Sequence, residues 1–186
     1  MANTLLARAA VASLLLSTTS GLTQASAQQV LAADSSFIQT AGSLGLLQVK
    51  LGKLAQEKGS SPSVKEFASR MVADYSKANE ELAAGAKQAG FAAPVLLRTH
   101  RQVFDLFSRT SRSSFDKKFM AEMVKQDSEA VRLFQQEAES GRVASLKRLA
   151  SEMLPTVQRH LSLATQTASS VGADATASAS GGRRGS

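Results

Sequence analysis

The sequence contains no cysteine and no tryptophan, and it has only one tyrosine and three prolines among its 186 residues. Because cysteine is absent, disulfides, thiolate chemistry and cysteine-ligated zinc sites are excluded. No segment beyond the N-terminal region is apolar enough to cross a bilayer as a helix, which requires about 20 such residues. The scarcity of proline leaves long stretches of the chain free to form helices.

The N-terminal 27 residues have the features of a secretory signal. Arg8 is the only charged residue before Asp34, residues 9–16 form a short apolar core, and residues 25–27 (Ala-Ser-Ala) give a small-x-small cleavage pattern. The sequence therefore predicts a cleavable signal peptide over residues 1–27 and export, which in a Gram-negative cell means the periplasm.

The formal net charge of +7 favours anionic partners, but the basic residues are spread along the chain. The densest basic stretch contains Arg98, His100, Arg101, Arg109 and Arg112. It lacks the interleaved aromatic side chains that stack on bases, so we expect no specific nucleic-acid binding. The four arginines remain candidates for contacts with an anionic lipid or polymer, and a homo-oligomer is left open as another partner class.

Apolar residues that recur at intervals of three and four predict four long amphipathic helices and no strand. We name them A to D, over residues 36–58, 62–88, 113–140 and 143–168. A shorter connector helix is predicted over residues 95–109, and Ser113 or Ser114 is the expected N-cap of helix C. The sequence thus predicts an all-α four-helix bundle over residues 34–168 with a connector helix between B and C, followed by a disordered, Ala/Ser/Gly-rich tail over residues 169–186.

The connector from Gly90 to Arg112 is too long for a simple helical hairpin. It is long enough to travel the length of the bundle. Helices B and C would then run in the same direction.

Each predicted helix has one polar residue on its apolar stripe, near the middle of the helix. These residues are Gln48, Tyr75, Asp127 and His160. A buried carboxylate needs a partner, so we expect Asp127 to pair with His160 and to accept hydrogen bonds from Tyr75 and Gln48. The alternatives are a single weakly held transition metal ion, or no contact between the four groups.

The layer is poor in metal ligands, because only Asp127 and His160 are good ones and the chain has no Glu-x-x-His motif. We therefore expect no cofactor, with a single transition metal ion as the alternative.

Asp74 is expected to form a surface pair with Lys77, and His100 is expected at the surface. Three methionines at helical spacing indicate core packing, or less often a copper(I) site: Met71, Met120 and Met123. No catalytic motif is visible, so the sequence predicts a protein that is not an enzyme.

Three segments resemble the exported bacterial family catalogued as domain of unknown function 4142, which is ferritin-like. They read LGKLAQEKGSSPSVKEFASRMVADYSKANEEL, FDKKFMAEMVKQDSEAVRLFQQEAESG and LKRLASEMLPTVQRHLSLA. The resemblance covers residues 36–166 and implies a ferritin-like four-helix bundle.

The resemblance also implies that the polar layer has changed. Family members typically carry Glu where this chain has Gln48, and Asp-His where it has Asp74-Tyr75 and Gln126-Asp127. Only the histidine at position 160 is retained. The resemblance therefore implies an exported, non-enzymatic, stress- or envelope-related bundle with a degenerate central metal site. A periplasmic metal-binding or redox protein using Asp127, His160 and Tyr75 is one alternative, and a peripheral binder of anionic lipid or polymer is another.

Overall fold

The structure is a computed structural model that describes residues 20–173, with side chains from residue 32 onward. This part of the chain forms helices and no strand. The helices are α1 (Ser20–Lys58), α2 (Pro62–Gln88), α3 (Arg98–Arg109), α4 (Arg112–Ser140) and α5 (Ala144–Ser170). Among the described residues, no helix combines the length and the apolar character that crossing a membrane requires.

Helix α1 begins at Ser20, so the predicted start near residue 36 was wrong. The segment before residue 36 contains alanine and glutamine, which are good helix formers, and no proline. The predicted cleavage position after Ala27 lies inside this helix, and residues 1–19 of the predicted signal peptide lie outside the described residues. Cleavage and export stay predictions.

The predicted bounds of the last two long helices also need correction. Helix α4 begins at Arg112, and its N-cap residue is Ser111, whose side chain makes no capping hydrogen bond. Helix α5 continues to Ser170, and Ala173 is buried against the core, with its N–H donating to the carbonyl of Ala168 over 2.9 Å. The predicted disordered tail therefore cannot begin at residue 169, and its remainder, residues 174–186, lies outside the described residues.

Contacts between the ends of the helices define their directions. The turn between α1 and α2 meets the start of α4, where the Asp116 carboxylate accepts the N–H groups of Ser60 (3.1 Å) and Ser61 (2.7 Å). The early part of α1 meets the turn between α4 and α5, where the Asp34 carboxylate accepts the N–H groups of Arg142 and Val143. Helix α1 is therefore antiparallel to α4, and α2 and α4 run in the same direction, as the connector length predicted.

The connector crosses α1 on its way between α2 and α4. Gly90 ends the α2 turn with φ of +80°, a conformation that favours glycine. Gly42 of α1 allows Pro94 to pass closely, because a Cβ atom at this glycine would lie 2.2 Å from the Pro94 Cβ. The connector is thus held against the bundle before α3 begins.

The core consists of two apolar clusters separated by a polar layer. The first cluster includes Leu51, Met71, Phe119 and Met123, and the second includes Leu44, Leu82, Phe134 and Val157. The four polar side chains that were predicted to face inward, at positions 48, 75, 127 and 160, are all buried. The methionines at 71, 120 and 123 all belong to the first cluster, as expected for core packing.

Candidate functional site

Asp127 lies at the boundary between the two apolar clusters and is fully buried. Its Oδ1 atom accepts one hydrogen bond from Gln48 Nε2 and another from the Tyr75 hydroxyl, each 2.8 Å long. These two bonds join α4 to α1 and α2. The structure thus brings together three of the four side chains that the sequence placed in one layer.

No cation faces the Asp127 carboxylate within ion-pairing distance in the described part of the chain. Burial raises the pKa of Asp127 to about 7, while the hydrogen bonds from Tyr75 and Gln48 act in the opposite direction. Burial and the neighbouring Asp127 hold the pKa of Tyr75 well above its ordinary value. Tyr75 therefore stays a neutral hydrogen-bond donor at physiological pH.

His160 is also buried, and its ring lies against the Tyr75 ring with 5.0 Å between the centroids. Its hydrogen bond, however, goes from Nε2 to Oδ2 of Asp74 over 2.9 Å. The predicted pair of His160 with Asp127 was therefore wrong. Helical spacing gives the face on which a residue lies, but the choice between two carboxylates on that side depends on how α2 and α5 pack.

Asp74 was also wrongly assigned to a pair with Lys77. Its Oδ2 atom binds His160 and lies 3.9 Å from Arg159 Nη2, whereas Lys77 pairs with Glu81 at 3.7 Å. The Asp74 side chain is 42% exposed and forms part of a surface groove of about 290 Å³ between α2 and α5. The polar layer therefore extends from the buried carboxylate to the bundle surface.

Burial lowers the pKa of His160, and the opposing effect of Asp74 is smaller. The imidazole is then neutral at pH 7, with Nε2–H donating to Asp74 and Nδ1 left as an acceptor. Nδ1 has no hydrogen-bond partner within the described residues, and the same is true of Gln48 Oε1 and Asp127 Oδ2.

The layer does not fit a di-metal carboxylate centre. One buried carboxylate and one imidazole replace the four carboxylates and two histidines of such sites. One oxygen of Asp127 is already occupied by two hydrogen-bond donors. No group of three His, Cys, Asp or Glu side chains in the described chain could hold a metal ion. The layer therefore lacks the ligand set of a di-metal carboxylate centre.

The structure keeps the basic candidates apart from the layer. Arg98, Arg101 and Arg109 are exposed on α3, and Arg112 is exposed at the start of α4. His100 was expected at the surface, but it is half-buried, with Nδ1 2.6 Å from the Ser43 hydroxyl. Sequence reasoning missed this contact because Ser43 lies on α1, remote in the chain and without a distinctive pattern.

Sequence reasoning also missed a pair of buried acidic side chains, Asp34 and Glu137. Burial and, to a smaller extent, the nearby Asp34 together raise the pKa of Glu137 to about 7. Both residues extend their helix stripes by one more turn, since Asp34 precedes Phe37 by three residues and Glu137 follows Phe134 by three. Extending the periodicity would have found them.

The chain was compared with known protein families, and the match covers the helices that carry the polar layer. A family model described as Domain of unknown function (DUF4142) matches residues 19–167. The chain belongs to this family. No curated protein matches the chain, and no solved structure does. The family match extends beyond all four side chains of the polar layer and includes the connector helix.

Proposed function

We propose that this DUF4142 protein is an exported, non-enzymatic, ferritin-like four-helix-bundle protein that serves a stress- or envelope-related role through its surface. Its central layer is a structural hydrogen-bond network that remains from a metal site. The antiparallel pairing of α1 with α4 and the shared direction of α2 and α4 support the ferritin-like arrangement.

The observation that carries this proposal is the position of the two donors on Asp127 Oδ1. Gln48 Nε2 and the Tyr75 hydroxyl both point a proton at this oxygen, which is the geometry of a buried acceptor. A cation at the same oxygen would face these protons. His160 donates its Nε2–H to Asp74, and this hydrogen bond joins α5 to α2.

A periplasmic metal-binding or redox protein is the second candidate. Three of the buried atoms that lack a hydrogen-bond partner among the described residues favour it, because Asp127 Oδ2, Gln48 Oε1 and His160 Nδ1 are all chemically able to donate electron pairs to an ion. An imidazole nitrogen with two oxygens would suit a single, weakly held transition metal. Redox work would further require Tyr75 to lie close to that ion.

Metal content and metal titration separate the two candidates. The chain is purified without chelator, analysed for metals, and titrated with iron, copper and zinc by calorimetry. We expect less than stoichiometric metal and no saturable binding. His160→Ala is the test variant, and His100→Ala is the matched control because the chain has only two histidines. Stoichiometric binding that His160→Ala abolishes and His100→Ala retains would overturn the structural network in favour of the metal site.

A further inference from the structure

Helix α3 is fixed to the bundle by its inner face and by both of its ends. The buried Ser43 hydroxyl accepts the N–H of Leu97, the N-cap residue, over 2.8 Å and also contacts His100. At the other end, the Lys58 ammonium donates to the carbonyls of Ser108 and Thr110. The helix is therefore held in a single orientation on α1.

Both phenylalanines of α3 pack against the core, and the helix contains no other phenylalanine, tyrosine or tryptophan. Phe107 is buried in the first cluster, and Phe104 packs partly against it beneath the Lys50 ammonium, which lies 5.2 Å from the ring centroid. A surface that binds nucleic acid by stacking needs exposed rings. The outer face of α3 lacks them.

The outer face is instead basic, and we call it the basic face. Its arginines are exposed at positions 98, 101 and 109, and Arg112 continues it into α4. None of the four forms an ion pair with a carboxylate of the described residues, and Asp105 is the one acidic residue on this side of α3. Arg98 and Arg109 lie three helical turns apart, or about 16 Å along the axis. Such a row of free guanidinium groups complements a flat anionic surface.

Two large apolar side chains are also exposed in this segment of the chain. Leu106 on α3 is 66% exposed, and Val95, just before the helix, is 60% exposed. They are the two large hydrophobic side chains that the described part of the chain leaves exposed. Exposed apolar groups next to arginines gain free energy at a bilayer, because the apolar groups enter the acyl boundary while the arginines stay at the headgroups.

We propose that the basic face binds the surface of an anionic phospholipid bilayer, with Leu106 and Val95 inserting between the headgroups. Soluble polyanions would engage the arginines but would gain nothing from the two apolar side chains. The described contacts therefore favour lipid over nucleic acid or polysaccharide. The basic face shares no residue with the buried polar layer, so the proposal does not depend on the function of that layer.

Vesicle flotation of the purified chain tests the proposal. We expect binding to vesicles of phosphatidylcholine with about one-third phosphatidylglycerol, little binding to pure phosphatidylcholine, and loss of binding as salt rises. Arg98→Glu combined with Arg101→Glu should lower the partition constant at least about tenfold, since this change removes two basic charges and adds two acidic ones at the membrane surface. If the glutamate substitutions disturb α3, the double variant Arg98→Ala and Arg101→Ala replaces them, and it should show a smaller loss of binding.

The matched control is Lys65→Glu combined with Lys87→Glu, which makes the same charge change at exposed positions of α2. This control should retain most of the binding. An equal loss in both charge-reversal variants would overturn the proposal, because the attraction would then come from the net charge of the whole chain. Absence of binding by the unaltered chain at low salt would overturn it as well.

The apolar half of the proposal has its own test. Val95→Ser combined with Leu106→Ser keeps every charge and should weaken vesicle binding by about threefold to tenfold. Binding to duplex DNA or heparin should not change in this variant. Unchanged vesicle binding, or DNA binding as tight as vesicle binding, would overturn the lipid proposal and indicate that the ligand is a soluble polyanion.

Discussion

The interior polar layer and the outer face of α3 treat their charged groups in opposite ways. Asp127 is fully buried, receives two neutral hydrogen-bond donors, and has its pKa raised by burial to about 7, so the carboxyl group is neutral below that pH. Arg98, Arg101 and Arg109 are exposed and form no ion pair with described carboxylates. The Asp127 network therefore links three helices by hydrogen bonds, whereas the three arginines make no ion pair with the described residues.

The difference teaches where to look for activity in this chain. A buried donor or acceptor that loses its partner costs about 1–3 kcal/mol, so the interior should respond to mutation as a stability element. An exposed arginine contributes little to folding, so the surface should respond only in binding. Each of the following predictions asks whether that division holds.

The largest effect is expected from Asp127→Leu. This change leaves the Tyr75 hydroxyl and Gln48 Nε2 buried without an acceptor and should lower the free energy of unfolding by about 3–4 kcal/mol. Urea unfolding at pH 7 measures it. Adding Tyr75→Phe and Gln48→Leu should restore most of the loss, whereas adding His160→Leu should not. Recovery with His160→Leu would mean that the carboxylate pairs with the imidazole after all.

The next effect concerns pH. The pKa of Asp127 rises to about 7 in the folded state, so between pH 4 and 7 the folded chain holds a proton that the unfolded chain has lost. This contribution to stability is complete below pH 4 and is lost as pH rises through 7. The isosteric Asp127→Asn cannot lose that proton. The stability difference between Asp127→Asn and the unaltered chain should therefore grow by about 3 kcal/mol between pH 4.5 and 7.5.

Using this difference cancels the contributions of Glu137, His100 and His160, which both proteins share. Urea unfolding at four or five pH values gives the measurement. A difference that stays constant across the range would show that Asp127 is ionised in the folded chain and that its surroundings are wetter than the packing indicates.

A smaller effect is expected at Asp74, where the polar layer reaches the surface. Asp74→Ala removes the acceptor of His160 Nε2–H and should cost about 1–2 kcal/mol. Lys77→Ala is the matched control on the same helix, because Lys77 pairs with the exposed Glu81 and should change stability by less than about 0.5 kcal/mol. Thermal unfolding of both variants compares them directly. Equal losses of stability in the two variants would contradict the bond between Asp74 and His160 and would favour a surface pair of Asp74 with Lys77.

The smallest effect should come from the basic face. Arg98→Ala combined with Arg101→Ala should change the free energy of unfolding by less than about 0.5 kcal/mol, because neither side chain has an intramolecular ion pair to lose among the described residues. Circular dichroism during urea unfolding checks this. A loss of 2 kcal/mol would assign these arginines to the fold and remove the contrast with the interior.

Much of the fold could be predicted because it follows from the spacing of apolar side chains. The inward positions of α2 and α4, such as Met71 and Met123, were predicted by intervals of three and four, and both are fully buried. The start of α1 could not be predicted, since residues 20–35 contain helix-forming residues without a marked apolar stripe or a proline. The N-terminus of α4 was misplaced because several serines compete for the cap position and none makes a capping bond.

The candidate site was predictable as a set of residues but not as a set of bonds. Periodicity placed Gln48, Tyr75, Asp127 and His160 inward, and the structure buries all four. It could not separate Asp74 from Asp127 as the partner of His160, because both carboxylates lie on the side of their helix that approaches the interior.

The sequence by itself determined the all-α class, the family, the four inward-facing polar positions and the excess of positive charge, because these depend on residue identity and local spacing. Only the tertiary structure decided that Asp127 binds Tyr75 and Gln48, that Asp74 takes His160, and that Leu106 of α3 stands exposed. Each of these depends on the distance between atoms on different helices, which follows from how the helices pack and rotate against one another rather than from the order of residues within any one of them.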